Sequence, residues 1–260
     1  MLDLEKISGL PLELAEDYRL TARPPMAEAK LTFVRKFSEM QPVLLDPAAR
    51  PEPARDEMYF VYRNLYLPED HGLILEHHLT YDVTILPPGR IGREFNKTVG
   101  HYHGNIPGKQ IAHPELYQIL HGSALFLLQK MDPEFNQVIS VIAFEASAGD
   151  KVVYPPNYGH IMINIGSEPL VTANWLCTDY HPLYEPVADR AGLAYYAVAG
   201  ERDKYEFVAN ARYNNPPAVR IIDQKFMNNF PITGPKPMYT AGVANPQQLE
   251  FLSRPEKYAV

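Results

Sequence analysis

Between residues 57 and 200 the chain repeats one pattern: a short run of Val, Ile, Leu, Tyr and Phe, then a cluster of turn residues. The runs fall at 58–67, 79–86, 99–103, 116–120, 124–129, 138–144, 151–154, 161–164 and 169–176. Turn chemistry separates them, as at Pro87-Pro88-Gly89, Met131-Asp132-Pro133, Ala148-Gly149-Asp150 and Pro155-Pro156-Asn157. Many short strands at close spacing fold as a sandwich or barrel. No helical periodicity alternates with them, which disfavours a parallel α/β sheet. Helical bundles are disfavoured by the prolines, 25 in 260 residues, roughly double the usual share of about 5%. Each proline fixes φ and removes a backbone donor. The hydrophobic share of 46% is enough to drive collapse, so disorder is not expected.

Composition divides the chain into three parts: an N-terminal extension over 1–55, a strand-rich unit over 56–200 and a proline-rich extension over 201–260. In the first part, 12–16 and 25–31 read as short helices and 46–53 as a loop. This part is expected to pack on a core formed elsewhere. The last part carries seven prolines, a candidate strand at 219–222 and a candidate short helix at 246–252. It either wraps the core or contacts a partner chain.

The net charge of −7 argues against nucleic acid or an anionic membrane as the main partner. A single cysteine, Cys177, excludes an intrachain disulfide. The first residues, Met1 to Lys6, lack the basic and apolar regions of a secretory leader, and no run of about 18 apolar residues exists. A cytoplasmic location is the simplest expectation.

Nine histidines are present, and the arrangement around His101 sets some of them apart. In His101-Tyr102-His103 the imidazoles stand at i and i+2, which on a strand places both on one face and within reach of one ion. Glu115 and His160 complete three imidazoles and one carboxylate. Such a set suits Fe, Mn, Ni, Co or Zn and leaves positions open for water or substrate. Of the other histidines, His121 is expected at a rim, His113 in solvent, and at most one of His77 and His78 facing a cavity.

These residues resemble the two motifs of the cupin superfamily. In the first, His101, His103 and Glu115 are followed after six residues by Gly122. In the second, Gly149 and Pro155 lead to Asn157, His160 and Asn164. Two departures stand out. Asn157 occupies a motif glycine, and asparagine tolerates the left-handed conformation that such a turn needs. Eleven residues separate His103 from Glu115, where cupins usually have a few, so 104–114 must form a loop at the barrel mouth.

The run from Thr84 through Pro87-Pro88-Gly89 and Lys97-Thr98-Val99-Gly100 to His101-Tyr102-His103 resembles the cupin-type glucose-6-phosphate isomerases. Pro114-Glu115-Leu116-Tyr117 and Val153-Tyr154-Pro155-Pro156 do so as well, as does the stretch from His160 to Pro169. The likeness covers roughly residues 57 to 195. It implies an all-β cupin, a double-stranded β-helix or jelly-roll barrel, here with short N-terminal helices and the proline-rich C-terminal extension. It implies interconversion of glucose 6-phosphate and fructose 6-phosphate. One divalent metal, iron foremost, is implied on His101, His103, Glu115 and His160. Phosphate contacts from Thr84, Thr98 and the backbone of Gly100 are implied as well. The chemistry of an aldose–ketose exchange leaves two routes, an enediol with Glu115 as the catalytic base or a direct hydride shift promoted by the metal. His181 and Tyr184 are further substrate candidates.

By strand parity Tyr117 shares the face of Glu115 and either meets the sugar or fills the barrel. Tyr158 and Met162 share the face of His160. Thr98 is out of phase with the two histidines and needs a bend, which Gly100 permits. Lys97, Arg93 and Arg90 either add positive charge to the phosphate site or form a solvated strand edge. The alternatives are an iron-dependent cupin dioxygenase and a non-catalytic cupin that binds a sugar phosphate. Cupins commonly pair, so a homodimer is expected.

Overall fold

The computed structural model describes residues 1–201, 204–227, 232 and 234–258. Five sheets form among the described residues, and two of them, of six and four strands, frame the barrel. The larger has six strands in the order Lys151–Tyr154, Glu115–His121, Leu170–Cys177, Leu79–Leu86, Glu57–Tyr62 and Leu31–Lys36. The smaller runs Tyr158–Asn164, Ser123–Met131, Val138–Ser147 and Arg220–Ile221. Every pairing is antiparallel except the last, Val138–Ser147 with Arg220–Ile221. This is the all-β cupin architecture.

Between the sheets lies a core containing Phe126, Phe144, Tyr117, Ile119 and Tyr154. A second core covers the outer face of the larger sheet. There Trp175, Tyr81 and Phe60 meet Leu4, Leu10 and Leu12 from the N-terminal segment and Tyr239, Phe251 and Leu252 from the C-terminal one. Central strands of this sheet are thus buried on both faces, which explains why Leu170–Cys177 and Leu79–Leu86 read as continuous apolar runs rather than alternating ones. Polar bonds fix this outer layer. Gln118 reaches both extensions, donating to Ile7 O at 3.1 Å and accepting from Met238 N at 2.7 Å. Trp175 Nε1 donates to Met238 O at 3.1 Å.

Several local expectations are corrected. Residues 12–16 hold a strand, Leu12–Leu14, paired with Leu2–Asp3 and Leu20–Ala22, because Leu12 and Leu14 alternate inward. Residues 25–30 are irregular, and Leu31 enters the six-stranded sheet opposite Tyr62. The short N-terminal helices form instead at Glu5–Ser8 and Phe37–Met40. The strand at 58–67 stops at Tyr62, since Asn64 takes φ +58° and gives its N–H to Asp82 Oδ1 at 3.0 Å. Part of 246–252 is helical as expected, as a 3-10 turn at Pro246–Leu249 followed by Glu250–Ser253. Among the described residues no helix is long and apolar enough to cross a membrane.

Candidate metal centre

Residues 96–103 run antiparallel to Tyr158–Asn164 at the edge of the smaller sheet. The pairing is interrupted rather than continuous. Thr98 N donates to Met162 O at 2.9 Å, and His160 N donates to His101 O at 3.1 Å. Gly100 between them has φ +84°, and a Cβ there would lie 2.3 Å from Ile161 Cγ2. The bend needed to turn Thr98 inward is therefore present at Gly100, and only glycine fits it. It also confines the regular strand to Tyr102–His103.

His101 and His160 face each other across this bridge with ring centroids 4.5 Å apart. His103 stands 5.2 Å from His101 and 5.3 Å from His160. Glu115, first residue of its strand, closes the group from the larger sheet, with Oε2 3.5 Å from Nε2 of both His103 and His160. One donor atom from each of the four residues lies within 4.8 Å of the others. The Nε2 atoms of His103 and His160 and Oε2 of Glu115 are buried without a hydrogen-bond partner. Buried polar atoms are rarely left unpaired, and three lone pairs converging on one point fit a cation between them.

The surroundings orient these ligand atoms. His103 Nδ1 lies 2.7 Å from the His113 carbonyl oxygen, and Asn174 Nδ2 donates to Glu115 Oε1 at 2.8 Å. Both bonds aim the remaining atom inward, as outer partners of metal ligands do. Burial pushes the His103 imidazole down to about 4, and it holds His101 and His160 well below the ordinary range, with neighbouring imidazoles adding to the effect. Neutral imidazoles are the metal-binding form. Burial pushes the Glu115 carboxyl up to about 8, opposed by the Tyr117 hydroxyl beside it.

A cavity opens from His101, Glu115 and His160, and Thr84, Thr98, Gly100, Tyr117 and Tyr184 all line it. Thr98 Oγ1 accepts from Met162 N at 3.0 Å, which leaves its proton free to donate. Met162 lines the cavity too. Tyr158 does not; its ring lies under Lys130 Nζ at 5.8 Å. His181 is exposed and stands outside the cavity, its ring packed on Gly104.

Other expectations change. His113 is buried, not solvated, because its Nδ1 bonds the carbonyl of Leu252 at 2.8 Å. Lys97 is neither a phosphate contact nor a solvated edge. It is buried against Glu94 Oε1 at 2.5 Å and Val43 O at 2.9 Å. Arg90 and Arg93 are exposed and away from the cavity. Asn157 takes φ +66°, the left-handed turn expected of it. His121 is half-buried at a strand end, and His77 and His78 lie outside the cavity.

Sequence reasoning missed eight cavity residues, Arg63, Asp82, Asn174, Tyr180 and Tyr154 among them. Arg63 projects into it with Nε 3.6 Å from Asp82 Oδ2. Asp82 sits opposite Asn174 in the sheet register. The Tyr180 ring lies tilted against that of His103, with 4.8 Å between centroids. Tyr154 has a buried hydroxyl without a partner, its ring 4.2 Å from that of His160. Tyr154 alone carried a local signal, since it precedes the Pro155-Pro156 turn to His160.

The family model for glucose-6-phosphate isomerase matches residues 34–213. The chain is similar to glucose-6-phosphate isomerase of Pyrococcus abyssi, 29% identical over 183 residues, 70% of this chain and 88% of that protein. It is also similar to a putative glucose-6-phosphate isomerase 1 of Rhizobium meliloti, 26% identical over 192 residues, 72% of this chain and 82% of that one. Among solved structures it is similar to oxalate decarboxylase of Bacillus subtilis, at 21% identity and a TM-score of 0.35. That likeness covers 50% of this chain and 28% of the decarboxylase.

Proposed function

Because the chain belongs to the glucose-6-phosphate isomerase family, we propose that it interconverts glucose 6-phosphate and fructose 6-phosphate with one divalent metal ion. His101, His103, Glu115 and His160 hold the ion. The observation that carries this is the convergence of three buried, unpaired donor atoms, Nε2 of His103 and His160 and Oε2 of Glu115. Iron is the first candidate, with Mn, Ni, Co and Zn also suited to the donor set. A bound ion there supplies Lewis acidity to the sugar oxygens and holds the open chain.

The chain's own residues do the rest. Thr84 and Thr98 donate hydroxyl hydrogen bonds to the phosphate, and Gly100 adds its backbone N–H. Their shared cavity with His101, Glu115 and His160 supports this placement. Arg63, which lines the same cavity, adds positive charge for the dianion. Tyr117 donates to a sugar hydroxyl near Glu115, and Tyr184 closes the cavity on the side of His101, 5.3 Å away between centroids.

Glu115 is the proton shuttle. Oε2 takes the C2 proton of the open-chain aldose, giving an enediolate, and returns it to C1, while the hydroxyl proton passes from O2 to O1, so that the ketose results. No outside oxidant or reductant is needed. Asn174 holds Oε1, so Oε2 is the oxygen that works, and Glu115 must be loosely ligated when substrate is bound. The reaction is placed in the cytoplasm, and the working form is proposed to be a homodimer. The three-part division at 55 and 200 is retained as a proposal, with the central part carrying the site.

The test loads purified protein separately with Fe, Mn, Ni, Co and Zn and supplies fructose 6-phosphate. Formation of glucose 6-phosphate is expected with at least one ion. None with any of them sinks the proposal.

A further inference from the structure

His103 owes its orientation to a segment far away in sequence. Its Nδ1 lies 2.7 Å from the His113 carbonyl oxygen. A carbonyl oxygen has no proton to give, so Nδ1 is the donor and Nε2 keeps the lone pair that faces Glu115. The place of the His113 carbonyl therefore sets the place of a metal-ligand atom.

His113 lies near the end of the long excursion 104–114 between the ligands, a stretch rich in glycine, proline and polar residues. Such a stretch has little intrinsic reason to hold one carbonyl still. Two anchors do so. On one side Asn157, in the turn before His160, accepts from Ala112 N at 2.7 Å and donates to Gln110 O at 3.2 Å. On the other side His113 Nδ1 donates to Leu252 O at 2.8 Å, and Lys109 Nζ pairs with Glu256 Oε1 at 2.5 Å. Leu252 lies in Glu250–Ser253 and is fully buried with Phe251 and Leu249 on the outer core of the larger sheet.

We propose that the C-terminal segment 238–258, outside the family match, is a positioning element for the metal centre, acting from Leu252 through His113 to His103. This rests on the reading of His101, His103, Glu115 and His160 as metal ligands. The excursion and the C-terminal segment then form one device: a longer loop between two ligands, steadied by an added layer. His113 is a positioning residue, since its ring contacts the Leu252 carbonyl and not the ligand cluster.

The experiment strips the full-length protein with a chelator and titrates it with cobalt(II) against a chromophoric competitor. Cobalt absorption reports ligand geometry independently of turnover. His113→Leu removes the donor to Leu252, whereas His113→Asn keeps an N–H near the Nδ1 position. His113→Leu is expected to weaken cobalt binding by roughly 10–100-fold and change the absorption bands. His113→Asn is expected to bind close to wild type. Equal cobalt affinity and spectra in His113→Leu and wild type would overturn the proposal. If His113→Leu does not fold, the surface variants Lys109→Ala and Glu256→Ala replace it. Weaker cobalt binding at an unchanged metal-free melting temperature supports the device, and unchanged binding in both overturns it. Wild type that takes up no cobalt would overturn the metal reading, and this inference with it.

Discussion

Asn174 Nδ2 donates to Glu115 Oε1 at 2.8 Å, from a strand that pairs with the strand carrying Glu115. One carboxylate oxygen is thereby occupied, and the other faces His103 and His160 at 3.5 Å. Asn174→Leu frees Oε1 and lets the carboxylate turn. Metal affinity is expected to fall by roughly 10–100-fold, with kcat falling further than KM rises. Competition titration and steady-state kinetics check this; an unchanged affinity would remove Asn174 from the centre.

The carboxyl of Glu115, pushed to about 8 by burial, is largely protonated at neutral pH without metal. His103, pushed to about 4, carries no extra proton there. Metal uptake at pH 7 should therefore release close to one proton, and affinity should climb until about pH 8 and then level. Calorimetry in two buffers of different ionisation enthalpy measures the proton count. In the metal-free protein the signs are opposed. Glu115 favours folding below its unfolded value of 4.5, and that contribution is lost as pH rises through about 8. His103 favours folding above 6.5, and its contribution is lost as pH falls toward about 4.

Gly100→Ala places a Cβ 2.3 Å from Ile161 Cγ2 at φ +84°. A loss of about 1–3 kcal/mol is expected, from strain at a left-handed position. The backbone beside Thr98 must shift as well, so KM for the sugar phosphate should rise. Thermal melts and kinetics together check this.

Lys97 and Glu94 form an ion pair whose side chains are 4% and 2% exposed. Lys97→Met leaves a buried carboxylate unpaired and should cost about 3–5 kcal/mol. Because Lys97 does not line the cavity, KM in the folded fraction should stay at the wild-type value. A raised KM without destabilisation would return Lys97 to the phosphate site.

What was legible in the sequence was local. The strand runs, the turn at Asn157 and the bend at Gly100 each rest on a few neighbouring residues, and so does the i, i+2 pairing of His101 and His103. What was not legible depends on pairing across the sheet. Asp82 meets Asn174 only through the register of two strands about ninety residues apart in sequence. His113 is buried by the carbonyl of Leu252, 139 residues away. Lys97 read as a phosphate-site charge or a solvated strand edge; its pairing with nearby Glu94 becomes a buried one only where the Val43 carbonyl of the N-terminal segment covers it. The 12–14 strand has the same origin: three residues too short for a period to show, paired on both sides.

The central claim is that one metal ion on His101, His103, Glu115 and His160 carries the isomerase activity. The most direct measurement titrates chelator-stripped protein with a single divalent metal and follows glucose 6-phosphate formed from fructose 6-phosphate. Activity is predicted to rise linearly and level at one ion per chain, while His103→Ala gains neither metal nor activity under the same titration. Full activity in the stripped protein, or in His103→Ala, would contradict the account.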